Sequence, residues 1–532
     1  MASLARKILS NTFWQVLGRV GIATIGIISI KIVTNYLPTD VYGQYTTLYE
    51  FIGFFAIAAD FGLYTIGVRE MAKKEKPPEK VLANILAIRI GLIIMALGLS
   101  VLVATNIPQY AGSFVAKGMW LVAITTALML IHGTLTSVLQ YKLKMQFATI
   151  SLILGKIITV GYIVATVLYL KPDNLNEGFI HLLYAGIFGN IIMVALTAFF
   201  VSKHTKIYVD FNWDYSKELV MKALPYGLAL ILSTVYFKID VVLLSLLRNY
   251  HETGIYGVAL KFMEILTVIP VFFMNSALPA ITESFRENRE RFRQLLSKSW
   301  QFMMLLATPL AIGGILLAFP ITFIVSSPQF LSGYHCADNI QVVYQEQREA
   351  VIRCTSVDHN PDFSWETESN IVYLSGSDTA MRLILIAMFF AFLSTLFGFT
   401  LVAIDQQIKL LWINGGGAIF NLITNIIFIP EHGFKAAAIT TIITQFLIFI
   451  TSAYTLTRTT SFEISIPQTL KILLSGAIMG VVIYFLQPVT YGWLENINVL
   501  LLVPIGALVY LAALLGLKAV DHDQIRKIIG RA

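Results

Sequence analysis

The sequence has few charged residues and few cysteines for its length. Asp, Glu, Lys and Arg make up 13% of its 532 residues, 57% of the residues are hydrophobic, and there are two cysteines. Soluble domains carry about 25% charged residues, so this composition and the mean hydropathy of +0.74 exclude an ordinary water-soluble protein. The net charge of +7 comes from lysines and arginines dispersed between apolar segments, and we therefore expect no nucleic-acid partner.

Familiar catalytic motifs are missing as well. The sequence contains no glycine-rich phosphate loop followed by lysine, no HExxH and no CxxC. Three consecutive glycines, Gly415–Gly417, open an apolar segment and follow no strand, so we interpret them as a flexible helix start. We therefore predict that the chain is not an enzyme and uses no metal and no cofactor.

What the sequence does contain is a series of long apolar segments. An α-helix needs about 20 apolar residues to cross a hydrocarbon layer roughly 30 Å thick, and it satisfies its own backbone hydrogen bonds there. Such segments recur along nearly the whole chain and predict an all-α integral membrane protein with about fourteen transmembrane helices. The predicted spans are 12–37, 43–68, 82–106, 118–138, 148–170, 180–202, 221–248, 254–282, 295–325, 379–404, 412–430, 434–457, 469–487 and 496–517.

The distribution of basic residues predicts how these spans are oriented. Positively charged loops are retained in the cytoplasm, and every second connection between the predicted spans carries lysine or arginine. We therefore place the chain in the cytoplasmic membrane as a multi-pass protein with both termini in the cytoplasm, which requires an even number of spans. The basic residues assigned to the inner side are Arg69, Lys73, Lys74, Lys76, Lys80, Lys142, Lys144, Lys203, Lys206, Lys217, the run from Arg286 to Lys298, Lys409, Arg458, Lys518, Arg526, Lys527 and Arg531.

One segment between the ninth and tenth spans is polar. From Tyr334 to Tyr373 the chain carries too many charges to cross a bilayer, and the predicted topology places it outside. Its runs 340–344 and 350–354 alternate apolar and polar residues, which favours strands and a hairpin. It also holds Cys336 and Cys354, which an oxidising exterior would allow to form a disulfide, with two free thiols as the alternative.

Charged residues also occur inside the predicted helices, and they are unevenly distributed. A charge at a helix centre costs about 3 kcal/mol, so each one should face protein or a water-filled cavity. Transporters built from internal repeats place their substrate path between the repeats. The pattern therefore predicts two pseudo-symmetric six-helix lobes that face each other across a wet cleft, followed by two further helices. The charges concerned lie on the first, second, seventh and eighth helices and are Arg19, Lys31, Glu50, Asp60, Lys238, Asp240, Lys261 and Glu264.

These features divide the chain into a first lobe, a second lobe, an outer insert and a final pair of helices with a cytoplasmic tail. The corresponding residues are 1–210, then 211–333 together with 377–460, then 334–376, and then 461–532.

Each of these charges has a structural and a functional interpretation. Arg19 and Lys31 lie about 120° apart on the helix wheel and are predicted to contact an anion at a broad cavity. Lys261 and Glu264 are one turn apart and form either a structural pair or part of the cavity. Asp60 has no basic neighbour one turn away on its own helix, which makes it a candidate proton or cation site. The acids that we consider for ion coupling are Glu50, Asp60, Asp240 and Glu264.

Several short stretches share their order and spacing with a known family. They are Asn11–Trp14, Leu37–Tyr45, Asp60–Leu63, Arg69–Glu70, Leu224–Leu228, Lys238–Asp240, Gly254–Ala259, Leu278–Pro279, Asn421–Asn425 and Ile429–Ala438. Together they resemble the O-antigen flippase type of polysaccharide transporter, a branch of the multidrug/oligosaccharidyl-lipid/polysaccharide (MOP) exporter superfamily. The likeness covers nearly the whole chain except the insert, which is longer than the outer loop usual in that family.

The resemblance implies a function and a site. Members of this branch flip a polyprenyl-pyrophosphate-linked oligosaccharide across the membrane for polysaccharide biosynthesis, by alternating access. Their first, seventh and eighth helices line a central cavity, which implies that Arg19, Lys31, Lys238 and Lys261 neutralise the pyrophosphate. The implied partners are that lipid-linked sugar, membrane lipids, and the glycosyltransferases or polymerase of the same pathway. Without an ATP-binding loop, the energy would come from an ion gradient, the membrane potential or substrate flow.

Three alternatives stay open at the level of sequence. A flippase for the peptidoglycan lipid precursor also has fourteen helices and is hard to separate by sequence. A cation-coupled drug exporter of the same superfamily usually has twelve, so the last two predicted helices argue against it. A membrane-embedded glycosyltransferase or polymerase would use acidic residues in an outer loop, and the insert does supply acids, but repeated halves are not typical of such enzymes.

Overall fold

The structure is a computed structural model that describes residues 2–332, 341–343, 351–353, 367–368, 371–372, 375–460, 462 and 464–519. Within that part the chain is mainly helical. The helices are α1 (Ala2–Tyr36), α2 (Thr39–Asp60), α3 (Leu63–Lys73), α4 (Pro78–Thr105), α5 (Phe114–Tyr141), α6 (Met145–Ala165), α7 (Leu175–Ser202), α8 (Trp213–Leu247), α9 (Tyr250–Glu287), α10 (Arg289–Leu316), α11 (Ala318–Val325), α12 (Ser377–Ala403), α13 (Gln407–Thr460), α14 (Ile466–Leu494) and α15 (Val499–Gly516). A π-helical segment, Thr166–Leu170, continues α6, and 3-10 helices lie at Pro108–Tyr110, Pro328–Phe330 and Glu495–Asn498.

Each predicted span coincides with a helix or a pair of helices, which confirms an all-α, multi-pass membrane protein. The second predicted span comprises α2 and α3, and the ninth comprises α10 and α11. Two predicted spans fall within α13, whose backbone leaves helical geometry at Gly433 (φ 55°, ψ −138°). Among the described residues, ten helical segments are long and apolar enough to cross a membrane, and the last two, Gln407–Thr460 and Ile466–Gly516, hold two predicted spans each. The count of fourteen stays a prediction.

The second predicted span is broken where α2 ends. Phe61 and Gly62 both have positive φ values, 45° and 70°, a conformation that glycine adopts readily and other residues rarely do. The helical hydrogen-bond ladder is therefore interrupted there, and α3 starts anew at Leu63. Sequence periodicity alone did not predict this break, since the apolar pattern runs through it.

The chain forms two compact units, residues 1–254 and residues 255–532. In the first unit, α5 and α6 both pack against α7, and α8 packs chiefly against α2, with further contacts to α3 and α4. Its apolar core includes Leu63, Leu82 and Leu219. The sequence assigned α8 to the second lobe from residue 211, whereas this packing groups it with the first unit.

The second unit has its own core. Within it, α12 packs against α10 and α13, and α14 packs against α10 and α15. Trp300 on α10 is 4% exposed and stacks on Phe397 of α12 with ring centroids 5.7 Å apart. Its indole nitrogen donates to the hydroxyl of Thr469 at 2.9 Å, which satisfies the one polar group of this large side chain.

The insert contains a small antiparallel sheet among its described residues. Its strands are β1 (Gln341–Val343), β2 (Val351–Arg353), β3 (Thr367–Glu368) and β4 (Ile371–Val372), in the order β1-β2-β4-β3. Val342 pairs with Ile352, so β1 and β2 form the hairpin that the alternating runs predict. Cys336 and Cys354 lie outside the described residues, and their disulfide stays a prediction.

The two ends of the insert are held together by hydrogen bonds. The backbone nitrogen and the hydroxyl of Ser332 donate to Asp378 Oδ1 at 2.8 and 2.7 Å, and the backbone nitrogen of Gly376 donates to the Ser332 hydroxyl at 2.9 Å. A Cβ atom at Gly376 would clash with the backbone of Ser332, so glycine is required for this close approach. The insert therefore leaves and re-enters the helical unit at one point.

Candidate functional site

A short ion pair between membrane helices of the first unit joins α2 to α8. Lys238 Nζ of α8 donates to Glu50 Oε2 of α2 at 2.5 Å. The side chain of Glu50 is completely buried, while that of Lys238 is 20% exposed. A buried carboxylate needs a charged or hydrogen-bonding partner, and here that partner is a cation that stays accessible.

A glycine makes room for this contact. Gly53 lies three residues after Glu50 on α2, and a Cβ atom there would come within 3.1 Å of Lys238 Nζ and 3.3 Å of its Cδ. The lysine side chain therefore runs along the bare backbone of α2 to reach the carboxylate. A Cβ atom at this position would require the lysine side chain to shift by a few tenths of an ångström.

Further contacts of α8 lie on both sides of this pair. Toward the start of α8, Gly227 packs on Phe61, to whose ring and carbonyl oxygen a Cβ atom would approach within 3.0 Å. Toward its end, Ser245 shares a hydrogen bond of 2.9 Å with Tyr110, which follows α4. Burial raises the pKa of the Tyr110 phenol, so the hydroxyl stays protonated and keeps this bond at neutral pH.

A second group of charges joins α3 to the beginning of α8. Lys222 Nζ lies 3.2 Å from Glu70 Oε2 and 2.5 Å from Glu218 Oε1. The other carboxylate oxygen of Glu70 accepts from Lys73 at 2.7 Å. The two carboxylates and two lysines neutralise each other at the end that the topology assigns to the cytoplasm.

Asp60 also has a basic partner, which comes from another helix. Arg89 of α4 places one guanidinium nitrogen 2.8 Å from Asp60 Oδ1 and 2.7 Å from the carbonyl oxygen of Ala59. Its Nε donates to Thr134 Oγ1 of α5 at 2.9 Å. Arg89 is completely buried, so it closes the C-terminal end of α2, where Phe61 breaks the helix.

In the second unit, Lys261 and Glu264 contact each other on α9. Their charged atoms are 2.9 Å apart, and their side chains are 30% and 43% exposed. The geometry is that of the pair expected from a spacing of three residues. Because both side chains are partly exposed, the pair leaves the cation open to a competing anion.

The remaining predicted site residues are more dispersed. Lys31 lies partly buried on α1, and Asp240 is 1% exposed on α8, where it points away from Lys238 because the two are about 200° apart on the helix. The side chain of Arg19 on α1 lies outside the described residues. Of the predicted residues, the structure thus joins Glu50 to Lys238 and Lys261 to Glu264.

Sequence reasoning missed the contacts between helices. It sought a partner for Asp60 one turn away on the same helix, whereas the partner is Arg89 on α4. One signal was available, because Asp60 and Arg89 carry opposite charges in the second and third predicted spans, which follow one another in the chain. No comparable signal links Glu70 to Lys222.

The chain is similar to proteins of known family and fold. The sequence model of the family described as "Polysaccharide biosynthesis protein" matches residues 8–285. An uncharacterized membrane protein of Methanocaldococcus jannaschii is 28% identical over 166 residues, which are 30% of this chain and 31% of that protein. The chain thus spans about a third of the length of this curated relative.

Solved transporter structures share the fold. The lipid II flippase MurJ, in an inward closed conformation, superposes with a TM-score of 0.66 at 15% identity, over 95% of this chain and 98% of that chain. An inward-facing multidrug resistance MATE family transporter of the MOP superfamily gives 0.58 at 12% identity, over 83% and 98%. A MOP superfamily transporter from Pyrococcus furiosus gives 0.52 at 13% identity, over 83% and 95%. The likeness confirms the predicted fold class.

Proposed function

Because the chain belongs to the family of polysaccharide biosynthesis proteins and has the MOP transporter fold, we propose that it is a flippase for a polyprenyl-(pyro)phosphate-linked oligosaccharide. It acts in the cytoplasmic membrane by alternating access, with both termini in the cytoplasm. The observation that carries the proposal is Lys238, a cation in the middle of a membrane helix whose side chain is 20% exposed although it is paired with a buried acid. A cation in that position is expensive unless it serves an anion or borders water.

The chemistry of the cargo fits cations at this depth. A pyrophosphate group has to cross the apolar layer, and charge-assisted hydrogen bonds from lysine or arginine are the contacts that compensate best for its lost hydration. Lys31, Lys238 and Lys261 supply partly accessible ammonium groups on α1, α8 and α9. Arg19 on α1 is assigned the same role on the grounds of sequence.

A second cargo, the peptidoglycan lipid precursor, is favoured by the fold likeness to the lipid II flippase. Both cargoes present a polyprenyl pyrophosphate to the protein and differ in the attached sugar or peptide. The drug exporter is less well supported, because α14 and α15 extend the chain beyond the twelve helices usual in such exporters. Glycosyltransferases or a polymerase of the same pathway are the proposed protein partners.

Translocation in reconstituted vesicles tests the proposal. Purified protein is expected to move a fluorescent polyprenyl-pyrophosphate oligosaccharide between leaflets, and Lys238→Gln and Lys261→Gln should each slow it by about tenfold or more, since one charge-assisted contact is worth about 1.5–3 kcal/mol. Lys206→Gln, in the exposed connection between α7 and α8, is the matched control and should leave the rate unchanged.

Two results would contradict the proposal. One is a protein that moves neither the oligosaccharide lipid nor lipid II, and the other is a normal rate in both cation variants. Preference for lipid II over the oligosaccharide lipid would select the second cargo.

A further inference from the structure

The contact between Glu50 and Lys238 joins groups with unequal access to solvent. Glu50 is sealed inside the first unit with 0% side-chain exposure, while Lys238 is 20% exposed. An approaching anion therefore reaches the lysine and not the carboxylate. In the present state the carboxylate of Glu50 occupies one of the three donor directions of the ammonium group.

Two neighbouring contacts of α8 are neutral. Gly227 packs on Phe61, and Ser245 binds Tyr110 through a neutral hydrogen bond. Packing and neutral contacts do not respond directly to the arrival of a charge. The ion pair does, so it can sense a phosphate.

We propose that the Glu50–Lys238 pair is an electrostatic latch between α2 and α8 that the phosphate groups of the substrate open. This inference rests on the proposed function. A pyrophosphate presents more negative charge and more acceptor oxygens than a carboxylate, so it replaces Glu50 as the partner of Lys238. No covalent bond changes in this exchange.

This exchange of partners couples phosphate binding to the packing of α2 on α8. Once Lys238 turns to the phosphate, Glu50 is a buried carboxylate that has lost this partner, and such a group strongly destabilises the packing around it. The packing relaxes when α2 and α8 separate enough for water to reach Glu50. At Gly53 the lysine side chain lies along backbone that carries no side chain, so no side chain at that position has to move when Lys238 turns.

Binding of geranylgeranyl pyrophosphate to the full-length protein in lipid nanodiscs tests the latch, with affinity measured by isothermal titration calorimetry. Because Glu50 competes for Lys238, Glu50→Gln should tighten binding by about tenfold, equivalent to about 1.4 kcal/mol. Lys238→Gln should weaken it by about tenfold. The double variant should match Lys238→Gln within about twofold, since Glu50 acts through Lys238.

A matched control is available on the surface. Glu177 pairs with Lys171 at the exposed start of α7, and Glu177→Gln removes the same charge without touching α2 or α8. It should leave the affinity unchanged. Size-exclusion elution and thermal unfolding establish which variants are folded. The double variant, which removes both charges, replaces Lys238→Gln if that single variant does not fold.

Hydrogen–deuterium exchange separates a latch from simple competition. Geranylgeranyl pyrophosphate should speed exchange in peptides covering residues 43–60 and 236–246 of the wild-type protein, and should not do so in Lys238→Gln. If Glu50→Gln leaves the affinity unchanged or weakens it while the wild-type protein still translocates lipid, the latch is excluded and the flippase stands. A wild-type protein that neither binds the probe nor translocates lipid would overturn both.

Discussion

Arg89 shows how one buried residue can connect three helices. Its guanidinium group contacts Asp60 and the carbonyl oxygen of Ala59 at the end of α2, and its Nε donates to Thr134 of α5. It is among the largest completely buried side chains of the described residues. The planar fork of arginine serves these acceptors together, which a lysine ammonium at the same position cannot do.

We predict that Arg89→Lys destabilises the protein. The substitution keeps the charge but leaves at least one of the three acceptors without its donor, and an unsatisfied buried acceptor costs about 1–3 kcal/mol. Thermal unfolding in detergent should therefore show a clearly lower Tm.

Arg69→Lys is the control for this experiment. Arg69 is exposed on α3, close to the same break in the helix, and its replacement should leave the Tm within about 1 °C because exposed substitutions are usually nearly neutral. Equal Tm values for the two variants would show that Arg89 does not hold α2 in place.

At the scale of helices, a close backbone contact in the first unit joins the start of α2 to residues 250–254. A Cβ atom at Gly43 would clash with the carbonyl oxygen of Tyr250, and one at Gly254 would clash with that of Thr39. Both obstacles are backbone atoms, which cannot move aside as a flexible side chain does. These glycines therefore allow the start of α2 to lie directly against residues 250–254.

We predict that Gly43→Ala and Gly254→Ala each lower the stability by about 1–3 kcal/mol, the usual cost of overpacking a close contact. Their Tm values in detergent should both fall. Gly98→Ala serves as the comparison, because a Cβ atom there meets nothing within 4 Å. In that open helical position alanine should stabilise by up to about 1 kcal/mol. If the Tm falls equally in all three variants, the loss of this close backbone contact is not the cause.

At the scale of the whole molecule, the insert behaves as a removable part of the second unit. Ser332 and Gly376 meet at its base, and Asp378 binds Ser332 from the first turn of α12. Because the helical unit closes beneath the insert, a short linker between these ends requires no rearrangement of the helices.

We predict that replacing residues 334–374 by two glycines leaves membrane insertion, size-exclusion behaviour and Tm nearly unchanged. Asp378→Ala should instead lower the Tm, because two hydrogen bonds to Ser332, each worth about 1 kcal/mol, are lost. If the shortened protein aggregates while Asp378→Ala keeps a normal Tm, the helices depend on the insert and not on the hydrogen bonds at its base.

Thiol labelling of intact cells before and after reduction tests the predicted Cys336–Cys354 disulfide.

The order and placement of the helices were largely predictable, whereas their breaks and partners were not. Long apolar segments identify the spans because every helix that crosses the hydrocarbon core of the bilayer needs about 20 apolar residues. The break at Phe61 and Gly62 leaves no trace in hydropathy, since both residues are apolar or neutral and the pattern continues to Lys73. The hairpin of β1 and β2 was predictable because alternation of apolar and polar residues is a local property.

By itself the sequence determined that this is an integral membrane protein, that it is helical, and which helices carry charges. These properties follow from composition and from the spacing of residues that are neighbours along the chain. The tertiary structure alone decided which charges meet. Glu50 and Lys238 are 188 residues apart, and Arg89 reaches Asp60 from another helix. An ion pair acts over a few ångströms, so its partners are set by how the helices pack and not by their order in the sequence.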